Sequence, residues 1–308
     1  MMTKQKKEEI KKEILRRYEL YKIHGHRLQR LIKDPLRTFP FYILVLFSRI
    51  KPFKIKFKTL WGDKMYCYIP DGNAILYYGC PGEANLTNFF INLLKEGDIF
   101  IDIGAHLGFY SLLAARLVEE TGKVYSFEPT PRTFGFLKKN ILSVLNVVIN
   151  QAAVLDEEKF ISFADYGIKY GAFNTYKDRT SKDLNFLQKS KKIINVKTIV
   201  LDKYCQENKI EPTFIKIDAE GAEHLILKGM SYILNLLRPL ISLEVAGGEE
   251  WKENCQESIQ ILLDKNYQVF KIISEGQLIS HKIKEEYGHD NLVFIPEEKI
   301  KLYPKLFV

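Results

Sequence analysis

The chain has 308 residues, 46% hydrophobic and 27% charged, with four cysteines and a formal net charge of +8. That length and apolar content exclude a disordered chain and fit one large domain with an appendage. The charge is uneven: residues 1–58 hold 17 Lys/Arg against 5 Asp/Glu and the remainder 29 against 33, so the basic character belongs to an N-terminal arm.

Cys67, Cys80, Cys205 and Cys255 are scattered and make no C-x-x-C pair. This fits a reduced, cytoplasmic setting without a disulfide framework or thiolate zinc site. The first 30 residues are charged and show no secretory signal.

Residues 4–33 carry a helical pattern, with Ile10, Ile14, Tyr18 and Tyr21 followed by Leu28, Leu31 and Ile32. Gly25 is expected to bend or interrupt it. Phe39 to Phe47 is an apolar stretch containing Pro40, well short of the ~20 residues a membrane-spanning helix needs. With Arg37, Arg49 and Lys51 around it, two readings stay open: lying in a membrane interface or packing on the main domain. Lys54 to Lys58 alternates like a half-exposed strand, with Lys64 to Ile69 as its partner.

From residue 99 onward strands and helices alternate. Strands are predicted at 99–103, 123–127, 146–150, 213–217 and 239–245, and helices near 109–119, 131–142, 223–237 and 254–265. That order predicts an α/β fold with a parallel sheet covered on both faces. Segments 268–273 and 291–295 read as a terminal antiparallel pair. Between 155 and 198 the pattern loosens into short strands and a Lys/Ser-rich loop at 177–192, placed to overhang a crevice beyond the sheet.

The segment Asp102-Ile-Gly-Ala-His-Leu-Gly108 joins a predicted strand to a predicted helix. Such a turn offers backbone N–H groups to a ligand at a helix N-terminus. A second strand ends at Glu128, 20 residues beyond Gly108, where a carboxylate accepts ribose hydroxyls. The pair reads as a nucleotide-type cofactor site and by itself admits NAD or S-adenosylmethionine (SAM). The glycine spacing is poor for a pyrophosphate, and an acid at Asp102 repels one while suiting an ammonium, so SAM is favoured.

The second cluster is Lys216-Ile-Asp-Ala-Glu-Gly-Ala-Glu223. Asp218 and Glu220, two apart, share one face of an extended backbone. Glu223 reads either as a site acid or as a helix cap that offsets the macrodipole. Glu244 ends the fifth strand and reaches the same crevice.

These pieces together resemble the FkbM-type family of SAM-dependent methyltransferases: Gly97-Asp98 into Phe100 to Ala105, Val124 to Pro129, Asn150-Gln-Ala152, Lys216 to Glu223, Pro239 to Glu244 and Asn291 to Phe294. The resemblance covers about residues 80–296. It implies a class I methyltransferase, Rossmann-like fold with seven strands ordered 3-2-1-4-5-7-6, mostly parallel with an antiparallel last strand. The basic helical arm at 1–58 lies outside the resemblance, and the methyltransferase domain is expected to fill residues 59–308. The resemblance also implies methylation of hydroxyl oxygens, often on sugars. Carried over by position, Asp102, Gly104, Ala105, His106, Gly108 and Phe109 form the methionine-side loop, and Glu128 with Pro129 holds the ribose. Gln151 and Ala152 flank adenine; Glu83 is an acid ahead of the first strand, and Asp218 borders the cofactor. His106 departs from the family's usual Asn, and Thr130 from another.

An alcohol attacking the sulfonium methyl needs a base. Asp218, Glu220 and His106 are the catalytic candidates, in that order. A divalent metal held by Asp218, Glu220 and Glu244 would serve the same end by acidifying the hydroxyl, although a metal-free reaction is preferred. The expected acceptor is a glycan or related small molecule. Nucleic acid, met through the basic arm, ranks behind it because no Asn/Asp-Pro-Pro-aromatic motif follows the fourth strand; a non-catalytic membrane adaptor with this fold is a third reading. The expected location is cytoplasmic, with peripheral contact at the inner membrane face through residues 1–58.

Overall fold

The computed structural model describes residues 2–22, 27–167, 174–176, 191–246 and 249–308. Gly25 and most of the Lys/Ser-rich loop lie outside the described residues. In chain order the strands are β1 (Phe53–Lys58), β2 (Lys64–Ile69), β3 (Ile99–Ile103), β4 (Lys123–Phe127), β5 (Val147–Asn150), β6 (Ala153–Leu155), β7 (Phe160–Asp165), β8 (Lys192–Val200), β9 (Phe214–Ile217), β10 (Leu240–Ala246), β11 (Tyr267–Ile272), β12 (Leu278–Ser280) and β13 (His289–Pro296).

The central sheet runs β12-β11-β13-β10-β9-β3-β4-β5. Without β12 this is the implied 3-2-1-4-5-7-6 order. Strands β5, β4, β3, β9 and β10 pair in parallel, while β13 is antiparallel to both β10 and β11. The sheet has eight strands and not seven, because Leu278–Ser280 adds an antiparallel edge to β11. The 155–198 region supplies β7 and most of β8, which join β6 in a second sheet ordered β6-β8-β7.

Side-chain alternation divides the core in two. Phe100, Phe214 and Val293 join the cluster on one face, and Ile101, Ile103, Ile215 and Ile217 the cluster on the other. The first cluster is covered by helices α5 (Ala84–Leu93) and α6 (Phe109–Val118). In α5, Leu86, Phe89, Phe90 and Leu93 recur at helical spacing, and the first three are buried. The predicted helix at 223–237 is broken: an α-helix spans Glu223–Lys228 and a π-turn Ile233–Leu237. Between them Gly229 lies against main chain, where a Cβ would come within 2.6 Å of the Leu155 carbonyl oxygen.

The basic N-terminal region is docked. Helix α1 (Lys4–Lys22) buries Ile10 and Ile14 in the same cluster as Phe89 and Phe90, and Lys11 donates to Asn92 at 3.0 Å. The β1–β2 hairpin pairs Phe53 with Ile69 across position 58, the expected division. Helices α2 (Arg27–Lys33) and α3 (Pro35–Ile50) lie between them, and the Phe39 to Phe47 stretch falls within α3. No helix among the described residues is long and apolar enough to cross a membrane.

Candidate active site

A polar row crosses the otherwise apolar face of the central sheet. Ser126 on β4, Asp102 on β3, Lys216 on β9 and Ser242 on β10 stand in register on adjacent strands, all buried. Ser111 on α6 donates to Asp102 Oδ2 at 2.6 Å and accepts from Ser126 at 2.8 Å. Lys216 Nζ donates to Asp218 Oδ2 at 2.8 Å and lies 3.9 Å from Asp102 Oδ1. Burial works against the ammonium, but Asp218, Asp102 and Glu83 outweigh it and raise the Lys216 pKa. A charged lysine in this interior therefore has its partners built in.

The row lies beneath the carboxyl ends of β3 and β9, where the strand order reverses and open α/β sheets form their crevices. The backbone turns sharply there. Gly104 has φ +77, and a Cβ on it would sit 1.8 Å from the Asp218 carbonyl oxygen, so the two loops touch main chain to main chain. The Asp218 N–H donates to Ile103 O at 3.2 Å.

The 104–108 turn differs from the expected ligand-facing donor cradle. Gly104 and Ala105 N–H both donate to Phe127 O, Gly108 N–H to Ala105 O, and His106 N–H to Glu128 Oε2. These donors are spent inside the protein, so the turn offers little to a pyrophosphate. Glu128 also accepts from Thr130 N–H at 2.9 Å. Burial raises its pKa, against the opposing pull of His106 and those two hydrogen bonds.

Other expected residues are placed as follows. His106 has φ 50, and its Nε2 lies 3.4 Å from Asp71 Oδ2. Burial disfavours its cation, but Asp71, Glu128 and Asp218 overcome that and raise its pKa. Phe109 turns its ring into the core, 5.3 Å from Trp61, leaving only main chain at the turn. Pro129 is half-buried, Ala152 buried and Gln151 exposed. Glu83, at the start of α5, accepts from Tyr110 OH at 2.9 Å and from Asn291 Nδ2. Its pKa is raised by burial and Asp218, with Lys216 opposing.

Asp218, Glu220 and Glu244 converge, each offering an oxygen within 4.8 Å of the others. Burial pushes Asp218 upward, but Lys216 and a hydrogen bond from Glu244 bring it below the usual aspartate value. Glu244 moves the other way: burial, then Asp218, Glu220 and Glu223, raise it well above the ordinary carboxyl range. The opposed shifts set the two carboxyls up to share a proton across that hydrogen bond. His289 Nδ1 stands 3.1 Å from Glu244 Oε1. Glu223, the first residue of its helix, does not cap the helix's own N–H groups but braces the preceding loop, accepting from Ala219 N–H at 2.8 Å and Gly221 N–H at 3.3 Å. The second sheet does reach the crevice rim: Thr175 donates to the Glu220 carbonyl at 2.9 Å, and Asn174 to Thr130 Oγ1 at 3.1 Å.

Two acceptor atoms beside this cluster, Asp102 Oδ1 and Asn291 Oδ1, are buried without a hydrogen-bond partner. Sequence reasoning did not assign roles to Asp71, Tyr110, Lys216, His289 or Asn291. Lys216 had one usable signal: a lone lysine inside the buried strand Phe214–Ile217 needs neighbouring acids.

The methyltransferase FkbM domain model matches residues 102–269, more than half of the chain. A hexuronic acid methyltransferase of Haloferax volcanii, AglP, is 26% identical over 214 residues, covering 69% of this chain and 76% of that one. Among solved structures, methyltransferase FkbM from Methylobacillus flagellatus aligns at 15% identity with a TM-score of 0.41, over 73% of this chain. This chain spans about half of that one, 53% of its length. Fibrillarin of Aeropyrum pernix, solved with S-adenosyl-L-methionine, aligns at 11% identity and a TM-score of 0.39, over 68% of this chain and 74% of that one. The strand order agrees with the family match across β3 to β11, and the chain belongs to the FkbM methyltransferase domain family.

Proposed function

We propose that this protein binds SAM in the crevice between β3, β4 and β9 and methylates a hydroxyl oxygen, with a sugar or glycan as acceptor. The observation that carries the reading is electrostatic. Three carboxyl groups, Glu83, Asp102 and Asp218, face one buried ammonium, Lys216, and beside them Asp102 Oδ1 and Asn291 Oδ1 are buried without a hydrogen bond. An ammonium satisfies such acceptors and offsets that charge. Glu128, at the tip of the next strand, is the proposed acceptor for the ribose hydroxyls. The family match and the likeness to a hexuronic acid methyltransferase support the donor and acceptor class respectively.

When bound, SAM supplies the electrophilic methyl group. The protein's part is alignment and proton removal. Lys216 keeps Asp218 ionised, so Asp218 can accept the acceptor's hydroxyl proton. Sharing a proton between Asp218 and Glu244 relieves repulsion among the three clustered acids. Asp218, Glu220 and Glu244 are also the residues that would hold a divalent ion.

Calorimetric titration of the full chain with SAM and S-adenosylhomocysteine tests the donor. Both are expected to bind, and Glu128→Ala is expected to weaken SAM by about tenfold to a hundredfold through loss of charged hydrogen bonds. No heat for either compound refutes the reading. Methyl transfer from labelled SAM to glycans with and without uronic acids then tests the acceptor.

A further inference from the structure

Helix α3 is amphipathic in the reverse of the usual sense. Its buried positions are Thr38 and Ser48, with Thr38 Oγ1 2.6 Å from Tyr77 OH. Its outward face carries Leu36, Phe39, Ile43, Phe47 and Ile50, at the spacing of one helical stripe. Leu36 is 90% and Ile50 84% exposed, and α2 continues the pattern with Leu28 at 74% and Ile32 at 76%. Scattered apolar side chains on a surface need no account, but a continuous stripe marks a contact site.

Charge identifies what it contacts. Residues 27–58 carry nine basic side chains; Arg30 and Arg37 donate inward to Tyr78 OH and Tyr77 O, and Arg27, Lys33, Arg49, Lys51, Lys54, Lys56 and Lys58 are exposed. The single acid among them, Asp34, lies 3.6 Å from Arg37 and 3.7 Å from Arg16. Lys54, Lys56 and Lys58 occupy the exposed positions of β1. A second copy of this chain would bring the same positive charge to the same stripe. An anionic lipid surface complements both parts, taking the apolar side chains among its acyl chains and the basic ones at its headgroups. The 16 residues of α3 extend about 24 Å, short of a ~30 Å hydrocarbon core, so the helix would lie along the surface.

We propose that the outer face of α3, extended by Leu28 and Ile32 of α2, docks this protein on an anionic phospholipid bilayer. Flotation of the full chain with phosphatidylcholine vesicles, with and without phosphatidylglycerol, tests this independently of methyl transfer. Binding is expected with phosphatidylglycerol, weak binding without it, and a fall as sodium chloride rises. Phe39→Ser/Phe47→Ser, and separately Ile50→Ser, should keep the parent circular dichroism and SAM affinity. The double variant is expected to lose about tenfold or more of vesicle partitioning. The proposal is overturned if the parent ignores phosphatidylglycerol vesicles or if the folded double variant binds them as well as the parent. It is equally overturned if light scattering shows a dimer that the double substitution dissociates.

Discussion

The ammonium of Lys216 donates to the carboxylate of Asp218 at 2.8 Å, two residues along one face of the same strand end. Lys216 is buried and faces three acids, so its removal leaves Asp102 as an uncompensated carboxyl in the interior. Lys216→Met is expected to destabilise the fold by about 3–5 kcal/mol at neutral pH, the usual consequence of breaking a buried ion pair. Part of that loss should return in mild acid, as the orphaned carboxylates take up protons. Urea unfolding at two pH values measures both, and an undiminished midpoint at neutral pH contradicts the assignment.

Asp218→Asn retains size and one hydrogen-bond acceptor but cannot accept a substrate proton. Turnover is expected to fall by about 10²–10⁴-fold, with SAM affinity changed far less. Glu220→Gln should cost less, because it is Asp218 that the buried Lys216 holds ionised at the strand end. Equal losses in the two variants would remove Asp218 from the role of base.

The Asp218–Glu244 pair gives a pH signature. The folded pKa of Glu244 lies well above the ordinary glutamate value of 4.5, so the stability it contributes is full below 4.5 and is lost as pH rises toward the folded value. Asp218 has the opposite sign: its pKa is lowered from 3.8, so its contribution is present above 3.8 and fades in acid. Glu244→Gln still donates a hydrogen bond but cannot ionise. The stability of the parent minus that of the variant should therefore decline steadily as pH rises from about 4.5. Melting profiles of the two proteins across that range measure it, and a flat difference contradicts the proton sharing.

Ile14 is fully buried between α1 and the main core. Ile14→Ala is expected to cost about 2–5 kcal/mol, like other large-to-small changes in a packed core. A loss under about 0.5 kcal/mol, the range of surface substitutions, would show that α1 packs only loosely.

The sheet was legible from sequence because β3, β4, β9 and β10 are short apolar runs, with their acids at or beside the strand ends. The resemblance supplied the strand order, which local pattern cannot. Strand β12 was not legible, since three residues carry no period. Helix α5 lies ahead of the predicted alternation, which begins at residue 99, although Leu86, Phe89, Phe90 and Leu93 recur at helical spacing. The Asp71–His106 pair joins residues 35 positions apart through a loop whose course no local rule gives. The hydrogen-bonded 104–108 turn shows the same limit, because a glycine motif announces a tight turn without saying where its N–H groups go.

The contact of Gly104 with the Asp218 carbonyl joins two jobs in one mechanical part. The turn proposed to border the methyl donor cannot shift without carrying along the strand end that bears the proposed base. Donor affinity and acceptor activation are then coupled through rigid main chain. Improving one by remodelling its loop will disturb the other, so new acceptor preferences are most freely acquired at the rim, around residues 174–176, where side-chain hydrogen bonds from Asn174 and Thr175 meet the crevice.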